Sequence, residues 1–394
     1  MTATASGTCH GVVVWHEMVL REGITVSSGV ETEGARQCLQ ILDRPICVTT
    51  SDTVEISAQY TEENISLAAT TPTHDDPERD TQRQVQRWHY AMLNDTQRND
   101  AYERAIAAAL KQVGGRGASS LVLDIGTGSG LLSLLAARHG ATEVVTCEKV
   151  GAVAEMAECI IGDNDETERI KVVNKMSSKM TVGPSEDMPR KADIVVSEIL
   201  DCGLLGEGML PATRHAHKCL AAPEAIFIPS AATVYVVLVH LPPQPVPLTT
   251  HMGRDNGANG VGGFDFAELD MFRAASYEQI RLSSVRHVPL SDVSPIFDFN
   301  FADPTQLPAA RKKTLQLDLI GDEARALCTA VAFWFLVDLY GGEALSTGPD
   351  NTTTCWKQAV QHLKNPVWLD RGHKVLLRAK HDATRISFKV SQEK

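Results

Sequence analysis

Three glycines alternate with single residues directly after a short apolar run that ends in an acid. The run is Leu121 to Asp124, and the glycines are Gly126, Gly128 and Gly130. A leucine- and alanine-rich stretch follows and is typical of a helix. A strand, a glycine turn and a helix open a nucleotide-binding βαβ unit, and the glycines let a ligand come close to the backbone. This turn is therefore predicted to hold part of a nucleotide-like ligand.

The acids beside the turn indicate which ligand it suits. The spacing is G-x-G-x-G rather than the dinucleotide pattern G-x-G-x-x-G, and Asp124 would repel a pyrophosphate but hold an ammonium group. A second predicted strand ends at Glu148, whose carboxylate could accept both hydroxyls of a ribose. S-adenosylmethionine has an amino acid end, a ribose and no phosphate. The pattern therefore favours a methyl donor, with a glycine-rich turn in some other α/β protein as the alternative.

Two glutamates, Glu198 and Glu207, bracket a glycine-rich apolar loop after the predicted strand Ala192 to Ser197. Carboxylates buried together repel each other unless a cation lies between them, and a guanidinium pairs well with carboxylates. The loop is predicted to hold an arginine side chain, with a solvated acidic loop as the alternative. Because parallel strands end at one edge of a sheet, Asp124, Glu148 and Glu198 should line one crevice.

Together these motifs resemble those of the protein arginine N-methyltransferases over roughly residues 81 to 394. The segment Met92 to Arg98 matches the family's Met-Leu-x-Asp-x-x-Arg pattern, and Thr354-Cys355-Trp356 resembles its Thr-His-Trp loop. The loop around Asp201 and Glu207 is most similar to the type III, monomethylating branch. The resemblance implies a Rossmann-like class I methyltransferase domain, followed by an antiparallel β-barrel domain with an inserted dimerisation arm.

The resemblance also implies roles for individual residues. Glu198 and Glu207 would grip the substrate guanidinium, Arg98 would pair with the cofactor carboxylate, and Met176 with Ser177 would contact adenine. The implied cofactor-binding set is His89, Arg98, Asp124, Gly126, Gly128, Glu148, Met176 and Ser177, and the implied substrate pocket is Met92, Met209, Cys355 and Trp356. No metal is expected, because no His/Cys cluster has zinc-ligand spacing.

The implied reaction transfers a methyl group from S-adenosylmethionine to a terminal guanidino nitrogen of arginine in protein substrates, RNA-binding proteins among them. S-adenosylhomocysteine and ω-monomethylarginine would be the products. A dimethylating enzyme and a non-catalytic scaffold that binds arginine motifs remain alternatives, as does a small-molecule or RNA methyltransferase of the same fold. Most members carry histidine at the position of Cys355, where it pairs with the aspartate equivalent to Asp95. The loop must therefore be held differently here.

Length and patterning suggest how the chain is divided. We predict a β-rich extension and linker over 1–80, a methyltransferase domain over 81–222 and a β-barrel domain over 223–394, with the arm at about 242–273. Asp100 and Glu103 resemble a capping box that would start a helix at Ala101. The family's arm implies a homodimer.

Composition bears on partners and compartment. The formal net charge of -12 and the lack of any segment resembling a basic groove argue against direct nucleic-acid binding. No apolar run approaches the ~20 residues of a membrane helix. Nine scattered cysteines without a C-x-x-C pair suggest a reducing compartment, so we expect the cytoplasm and also the nucleus.

Overall fold

The structure is a computed structural model that describes residues 1–15, 17–21, 24–27, 38–60, 65–70, 87–115, 119–242 and 277–393. The chain divides into two compact units, Met1–Gln84 and Val85–Lys394. The predicted arm, from residue 243 onwards, lies outside the described residues, as does the linker from 71 to 80. Within the described part, no helix is both long and apolar enough to cross a membrane.

The first unit is built from short antiparallel strands, which confirms the β character expected for residues 1 to about 70. Its strands are β1 (Gly7–Val14), β2 (Glu17–Arg21), β3 (Ile24–Ser27), β4 (Cys38–Val48), β5 (Glu55–Tyr60) and β6 (Ile65–Thr70). They pair as β1 with β4, β2 with β3 and β5 with β6. The packing of this extension on a later sheet stays a prediction.

The second unit begins with helices and a five-stranded parallel sheet. The helices are α1 (Arg87–Leu93), α2 (Thr96–Gly114), α3 (Leu131–Arg138), α4 (Gly151–Asp163) and α5 (Met209–His215). The strands are β7 (Leu121–Ile125), β8 (Glu143–Cys147), β9 (Ile170–Val173), β10 (Ala192–Ser197) and β11 (Ala221–Ile228). Their order is β11-β10-β7-β8-β9. The central strand β7 is buried along its whole length, as expected for a parallel strand covered on both faces.

The register of this sheet aligns the ends of four strands. Ile125 pairs with Cys147 and with Ser197, and Cys147 pairs with Val173. The glycine turn after β7, Glu148 after β8 and Glu198 after β10 therefore begin at one level. This confirms that the strands before the predicted site residues end at a single edge of the sheet.

Helix α2 covers one face of the sheet and starts earlier than its sequence suggested. Asp95 is the N-cap, and its side chain accepts a hydrogen bond from the amide of Arg98 at 2.9 Å. The proposed start at Asp100 was wrong, because Asp100 lies inside the helix. The buried stripe has helical spacing and consists of Arg98, Ala101, Tyr102, Ala105, Ile106, Ala109, Leu110 and Val113.

The rest of the unit is antiparallel. Its strands are β12 (Ala231–His240), β13 (Glu278–Ile280), β14 (Val288–Pro289), β15 (Ser294–Asn300), β16 (Arg311–Leu317), β17 (Arg325–Asp338), β18 (Ala344–Ser346), β19 (Gln358–Asp370), β20 (Val375–His381) and β21 (Ile386–Gln392). Three of them, β16, β20 and β21, form one sheet, and the other seven form a separate seven-stranded sheet. One continuous core joins these sheets to the parallel sheet.

The antiparallel domain is confirmed, but its described strands do not close into one barrel. Gln361 of β19 contacts the neighbouring sheet through its side chain. Its side-chain amide donates to the carbonyl of Phe388 and accepts from the amide of Phe388, both at 2.8 Å. A side chain thus occupies the backbone groups of β21 that a neighbouring strand would otherwise use.

Candidate active site

The glycine turn after β7 has the shape of a ligand cradle. Gly126 has φ +88°, and a Cβ there would lie 2.6 Å from the side chain of Ile199, so only glycine fits. Gly128 faces open space, since a Cβ there would meet only one atom, 4.0 Å away. The Glu148 carboxylate approaches the amide of Gly128 at 3.5 Å. The turn and the acid predicted to face a ribose are therefore brought together.

Asp124 lies beneath this turn rather than in the open crevice. Its side chain is fully buried, and Oδ2 accepts a hydrogen bond from the Ser133 hydroxyl at 2.6 Å. Burial raises the pKa of Asp124 to about 7, and its Oδ1 has no donor among the described residues. The sequence suggested that this carboxylate contacts the cofactor directly. That contact does not fit the burial of Asp124, because a fully enclosed group acts on a ligand through its charge.

Glu198 forms a buried ion pair with Arg98. Glu198 Oε2 lies 2.6 Å from Arg98 Nη2 and 3.2 Å from Nε, and the two side chains are only 5% and 4% exposed. Burial raises the pKa of Glu198, and the nearby guanidinium opposes that rise. Tyr102 supports the pair, because its ring lies 5.7 Å from the Arg98 guanidinium and its hydroxyl donates to the carbonyl of Ser197 at 3.1 Å.

Glu207 closes the loop just before α5 and differs from Glu198 in its surroundings. The residue is exposed to solvent and forms no hydrogen bond with the described part of the chain. Desolvation by the surrounding loop nevertheless raises its pKa to about 7, and the negative charges of Glu198 and Asp201 add to that rise. One glutamate is thus fixed by an internal cation, and the other is available to a ligand.

Asp201 holds this loop in place, together with a tyrosine that the sequence did not reveal. Its Oδ1 accepts from the amide of Gly206 and its Oδ2 from the hydroxyl of Tyr277, both at 2.7 Å. A Cβ on Gly206 would lie 2.4 Å from the Asp201 carboxylate, so the close approach requires glycine. Tyr277 lies 76 positions beyond Asp201, and no local pattern could have pointed to it.

The loop that contains Cys355 and Trp356 approaches from the antiparallel sheets. Asp95 Oδ2 accepts from the amide of Cys355 at 2.7 Å and from the hydroxyl of Thr354 at 3.1 Å. The Trp356 ring is buried, and its Nε1 donates to the carbonyl of Leu200 at 2.9 Å. This ring therefore supports the loop from Glu198 to Glu207, the double-glutamate loop. It lies 5.9 Å from the Arg98 guanidinium.

The remaining predicted residues differ in burial. His89, Ser177 and Met209 are buried, and Met209 lies in the core with its sulfur 3.5 Å from the Ser197 hydroxyl. Met209 is therefore packed in the core, with almost no surface open to a ligand. Met176, after β9, is 52% exposed, which leaves an apolar surface free at the sheet edge. Met92 is half-buried on α1.

These surroundings fit S-adenosylmethionine. The space in front of Gly128 adjoins the Glu148 carboxylate, which suits a ribose, and the exposed Met176 offers an apolar surface for an adenine. The Arg98 guanidinium lies at the same edge but is buried and already donates to Glu198 and Asn99. The Oδ1 of Asp124, which has no donor among the described residues, favours a positive charge above the turn.

Comparisons with known proteins agree with this geometry. A family model of ribosomal protein L11 methyltransferase (PrmA) matches residues 106–210. An arginine N(omega)-methyltransferase of Streptomyces achromogenes subsp. streptozoticus is 36% identical over 296 residues, which are 75% of this chain and 76% of that protein. Protein arginine N-methyltransferase 7 of Mus musculus is 34% identical over 291 residues, which are 67% of this chain and 41% of that protein.

Among solved structures, the Trypanosoma brucei PRMT1 enzyme-prozyme heterotetrameric complex with AdoHcy matches with a TM-score of 0.57 at 22% identity. The match covers 77% of this chain and 96% of that one. At this identity the likeness shows the fold alone. The fold and the site thus define a methyltransferase domain joined to antiparallel sheets.

The match to the Streptomyces relative shows the family of this chain, because it covers most of that protein's length. The chain belongs to the arginine N-methyltransferase family. It is an enzyme that uses S-adenosylmethionine and methylates arginine. The chain spans less than half the length of the mouse relative.

Proposed function

We propose that this chain transfers one methyl group from S-adenosylmethionine to an ω-nitrogen of arginine and stops at ω-monomethylarginine. The observation that carries the proposal is the arrangement of the two glutamates at the carboxyl edge of the parallel sheet. Glu198 is held by Arg98, whereas Glu207 has a carboxylate that no described residue engages. A substrate guanidinium held between them would lie beside the glycine turn.

The chain's own residues would perform three tasks. Gly126, Gly128, Glu148, Met176 and Arg98 would hold the cofactor, which supplies an electrophilic methyl group when bound. Glu198 and Glu207 would orient the guanidinium so that one terminal nitrogen faces that methyl group, which lowers the entropic part of the barrier. Trp356 and Asp201 would keep the double-glutamate loop from shifting.

We assign the proton acceptor to Glu207. The attacking nitrogen must lose a proton when its bond to carbon forms, and a base works best when its pKa lies near the working pH. The pKa of Glu207 is raised to about 7. Glu198 Oε2 already accepts two hydrogen bonds from Arg98, so its charge is committed to that cation.

The restriction to one methyl group rests on the resemblance of the double-glutamate loop to the type III branch. A second transfer would need room for the first methyl while the other nitrogen faces the donor. Asp201 and Trp356 both tie the loop to the antiparallel sheets, which limits how far it can open. A dimethylating enzyme is the competing possibility.

Protein-bound arginine is our first candidate substrate, with RNA-binding proteins among the proteins methylated. Free L-arginine is the second, because the Streptomyces relative is named for arginine without reference to protein and is matched over three quarters of its length. We further propose a homodimer formed through the arm at about 242–273. We expect it to act in the cytoplasm and nucleus, because the nine cysteines are scattered without a C-x-x-C pair and the six from Cys147 to Cys355 form no disulfide.

The test is incubation with labelled S-adenosylmethionine and either a Gly/Arg-rich peptide or free L-arginine, followed by hydrolysis and identification of the methylated arginines. Monomethylarginine alone at long times with excess enzyme would support the proposal, and the better acceptor would identify the substrate class. Asymmetric or symmetric dimethylarginine would overturn the single transfer. No label transfer to either acceptor would favour the scaffold.

A further inference from the structure

The three-stranded sheet β16–β20–β21 carries a concentration of positive charge. Its strands contain three cationic residues in β16, two in β20 and one in β21, with no aspartate or glutamate in any of them. These residues are Arg311, Lys312, Lys313, Arg378, Lys380 and Lys389. The whole chain has a formal net charge of -12, so this sheet differs sharply from the composition around it.

The sheet register places four of these cations on one outward face. Lys312 lies directly opposite Lys380, and Arg378 lies directly opposite Lys389. All four residues are exposed. Directly opposed side chains have Cβ atoms about 4.5–5.5 Å apart, and like charges in such pairs destabilise a sheet. We call these four residues the basic sheet face.

Within the part of the chain that the structure describes, no carboxylate pairs with a cation of this face. Among the described residues, none of the four cations forms an ion pair, and Arg378 donates only to the hydroxyl of Ser391, at 2.8 Å. Lys374, at the opposite end of β20, behaves differently, because its Nζ lies 2.7 Å from a carboxylate oxygen of Asp318. The repulsion between cations is therefore confined to the part of the sheet where Lys312, Arg378, Lys380 and Lys389 lie without ion pairs to described residues.

A cleft of about 500 Å³ extends the positive surface at this end and is lined by Arg311, Lys312, Lys380 and Arg385. The one acid that lines it is Asp382, whose Oδ1 accepts the amides of Thr384 and Arg385 at 2.9 Å each. This carboxylate is committed to its own turn. An anion that enters the cleft would meet the side chains of Lys312, Lys380 and Arg385, because the Arg311 guanidinium is engaged by the carbonyl of Asp298 and by His381.

We propose that the basic sheet face and its cleft bind the phosphate backbone of a nucleic acid. A close two-dimensional array of cations matches a polymer with one charge every 3.4 Å of each strand, which is denser than ordinary acidic peptides. Phe388, an aromatic residue of these strands, is buried, so the face offers bases no ring to stack on. The recognition is therefore electrostatic and independent of sequence.

The net charge of -12 led us to expect no direct nucleic-acid binding, but net charge does not show where the cations lie. The cations come from segments 311–317, 375–381 and 386–392, and no one segment looks like a basic groove. Only the antiparallel register brings them side by side.

The test compares two variants of the full chain that lose the same charge. The basic-face variant is K312Q/R378Q/K380Q/K389Q. The control is K111Q/K191Q/K218Q/K364Q, whose lysines are exposed and form no ion pair with the described residues. Binding of a fluorescent single-stranded oligouridylate is measured by anisotropy at about 50 and about 200 mM salt.

Four phosphate contacts at a slope near −0.7 each predict that wild-type affinity falls about 50-fold between these salt concentrations. The basic-face variant should bind about tenfold or more weakly at the lower salt concentration and lose most of the salt dependence, while the control keeps both. Equal behaviour of the two variants, or no binding by the wild type, would overturn the proposal. Poly-L-glutamate that binds as tightly as the oligouridylate would instead identify an acidic protein as the partner.

Two further measurements separate this surface from folding and from catalysis. The melting temperature of the basic-face variant should equal or exceed that of the wild type, because opposed like charges are removed. Its methyl transfer to a short Gly/Arg-rich peptide should be unchanged. A lower melting temperature would mean that the cations serve the fold, which contradicts the proposal.

Discussion

Asp95 accepts a hydrogen bond from the backbone amide of Cys355 at 2.7 Å, and the same carboxylate caps α2 through the amide of Arg98. Cys355, which replaces the family's usual histidine, therefore binds Asp95 through its main-chain amide. One carboxylate connects the start of α2, which carries Arg98, with the loop that carries Trp356. The absent charged pair is replaced by a bond that does not depend on the side chain at position 355.

Replacing each partner in turn tests this arrangement. Cys355→Ala should leave both stability and turnover close to wild type, because the amide donor remains. Asp95→Ala should lower the free energy of unfolding by about 1–3 kcal/mol, since it removes a helix cap and leaves buried donors unpaired. Urea unfolding and turnover of the two variants are the measurements. A loss in Cys355→Ala as large as that in Asp95→Ala would show that the thiol matters.

The two glutamates should respond differently to the same substitution. Glu198→Gln leaves the buried Arg98 guanidinium without its anion, which typically costs about 3–5 kcal/mol of stability. Glu207→Gln removes an exposed carboxylate and should change stability by less than about 0.5 kcal/mol. Both should lower turnover by about 10²–10³.

Urea unfolding, turnover and S-adenosylhomocysteine affinity distinguish the two variants. We expect the affinity to fall in Glu198→Gln, because Arg98 loses its support, and to persist in Glu207→Gln. Equal stability of both variants would contradict the assignment of Arg98 to Glu198.

The pKa of Glu207 predicts how activity depends on pH. The carboxyl group must be ionised to hold a guanidinium and take its proton, and its pKa is raised to about 7. The ionised fraction grows as pH rises through that value. At saturating cofactor, kcat/KM should therefore rise about tenfold per pH unit below about pH 7 and level off above it.

Asp124 provides the control for this profile, because burial raises its pKa to about 7 as well. S-adenosylhomocysteine affinity should be measured over the same pH range. If that affinity changes in parallel with kcat/KM, the titrating group is Asp124 and the assignment to Glu207 is wrong.

Tyr277 is predicted to be a positioning residue. Tyr277→Phe removes the hydroxyl that donates to Asp201 at 2.7 Å, which loosens the turn through Gly206 that carries Glu207. We expect kcat to fall about tenfold, because small errors in orientation are costly to rate, with unchanged cofactor affinity. Tyr235→Phe is the matched control, since the Tyr235 hydroxyl has no hydrogen bond within the described chain. A purely structural role would lower stability and leave kcat unchanged at a temperature where both proteins are folded.

Local patterns were enough to predict the parallel sheet and the edge where the site lies. The glycine turn, Glu148 and Glu198 each follow an apolar strand, and parallel register alone aligns them. The start of α2 was placed at Asp100 because Asp100 and Glu103 match a capping box. Asp95 is the cap because its other oxygen is also engaged by Thr354 and Cys355, which a local pattern cannot reveal.

Contacts between distant segments were beyond sequence reasoning. The ties from Tyr277 to Asp201 and from Trp356 to Leu200 depend on how two sheets meet. The burial of Met209 and the enclosure of Asp124 likewise depend on packing rather than on residue type. The contact between the two sheets includes a side-chain amide, that of Gln361, which no strand pattern marks.

The hydrogen bond from Trp356 to the carbonyl of Leu200 spans 156 positions of the chain. Cutting the gene near residue 223 would therefore divide a single functional unit, even though the sequence changes character there. Such a fragment would keep the glycine turn but lose Trp356 and Tyr277, which hold the loop between Glu198 and Glu207 in place. Exchanging the antiparallel domain between relatives would therefore also change how the loop between Glu198 and Glu207 holds its substrate. Chimeras should be joined at positions that leave these contacts within one parent sequence.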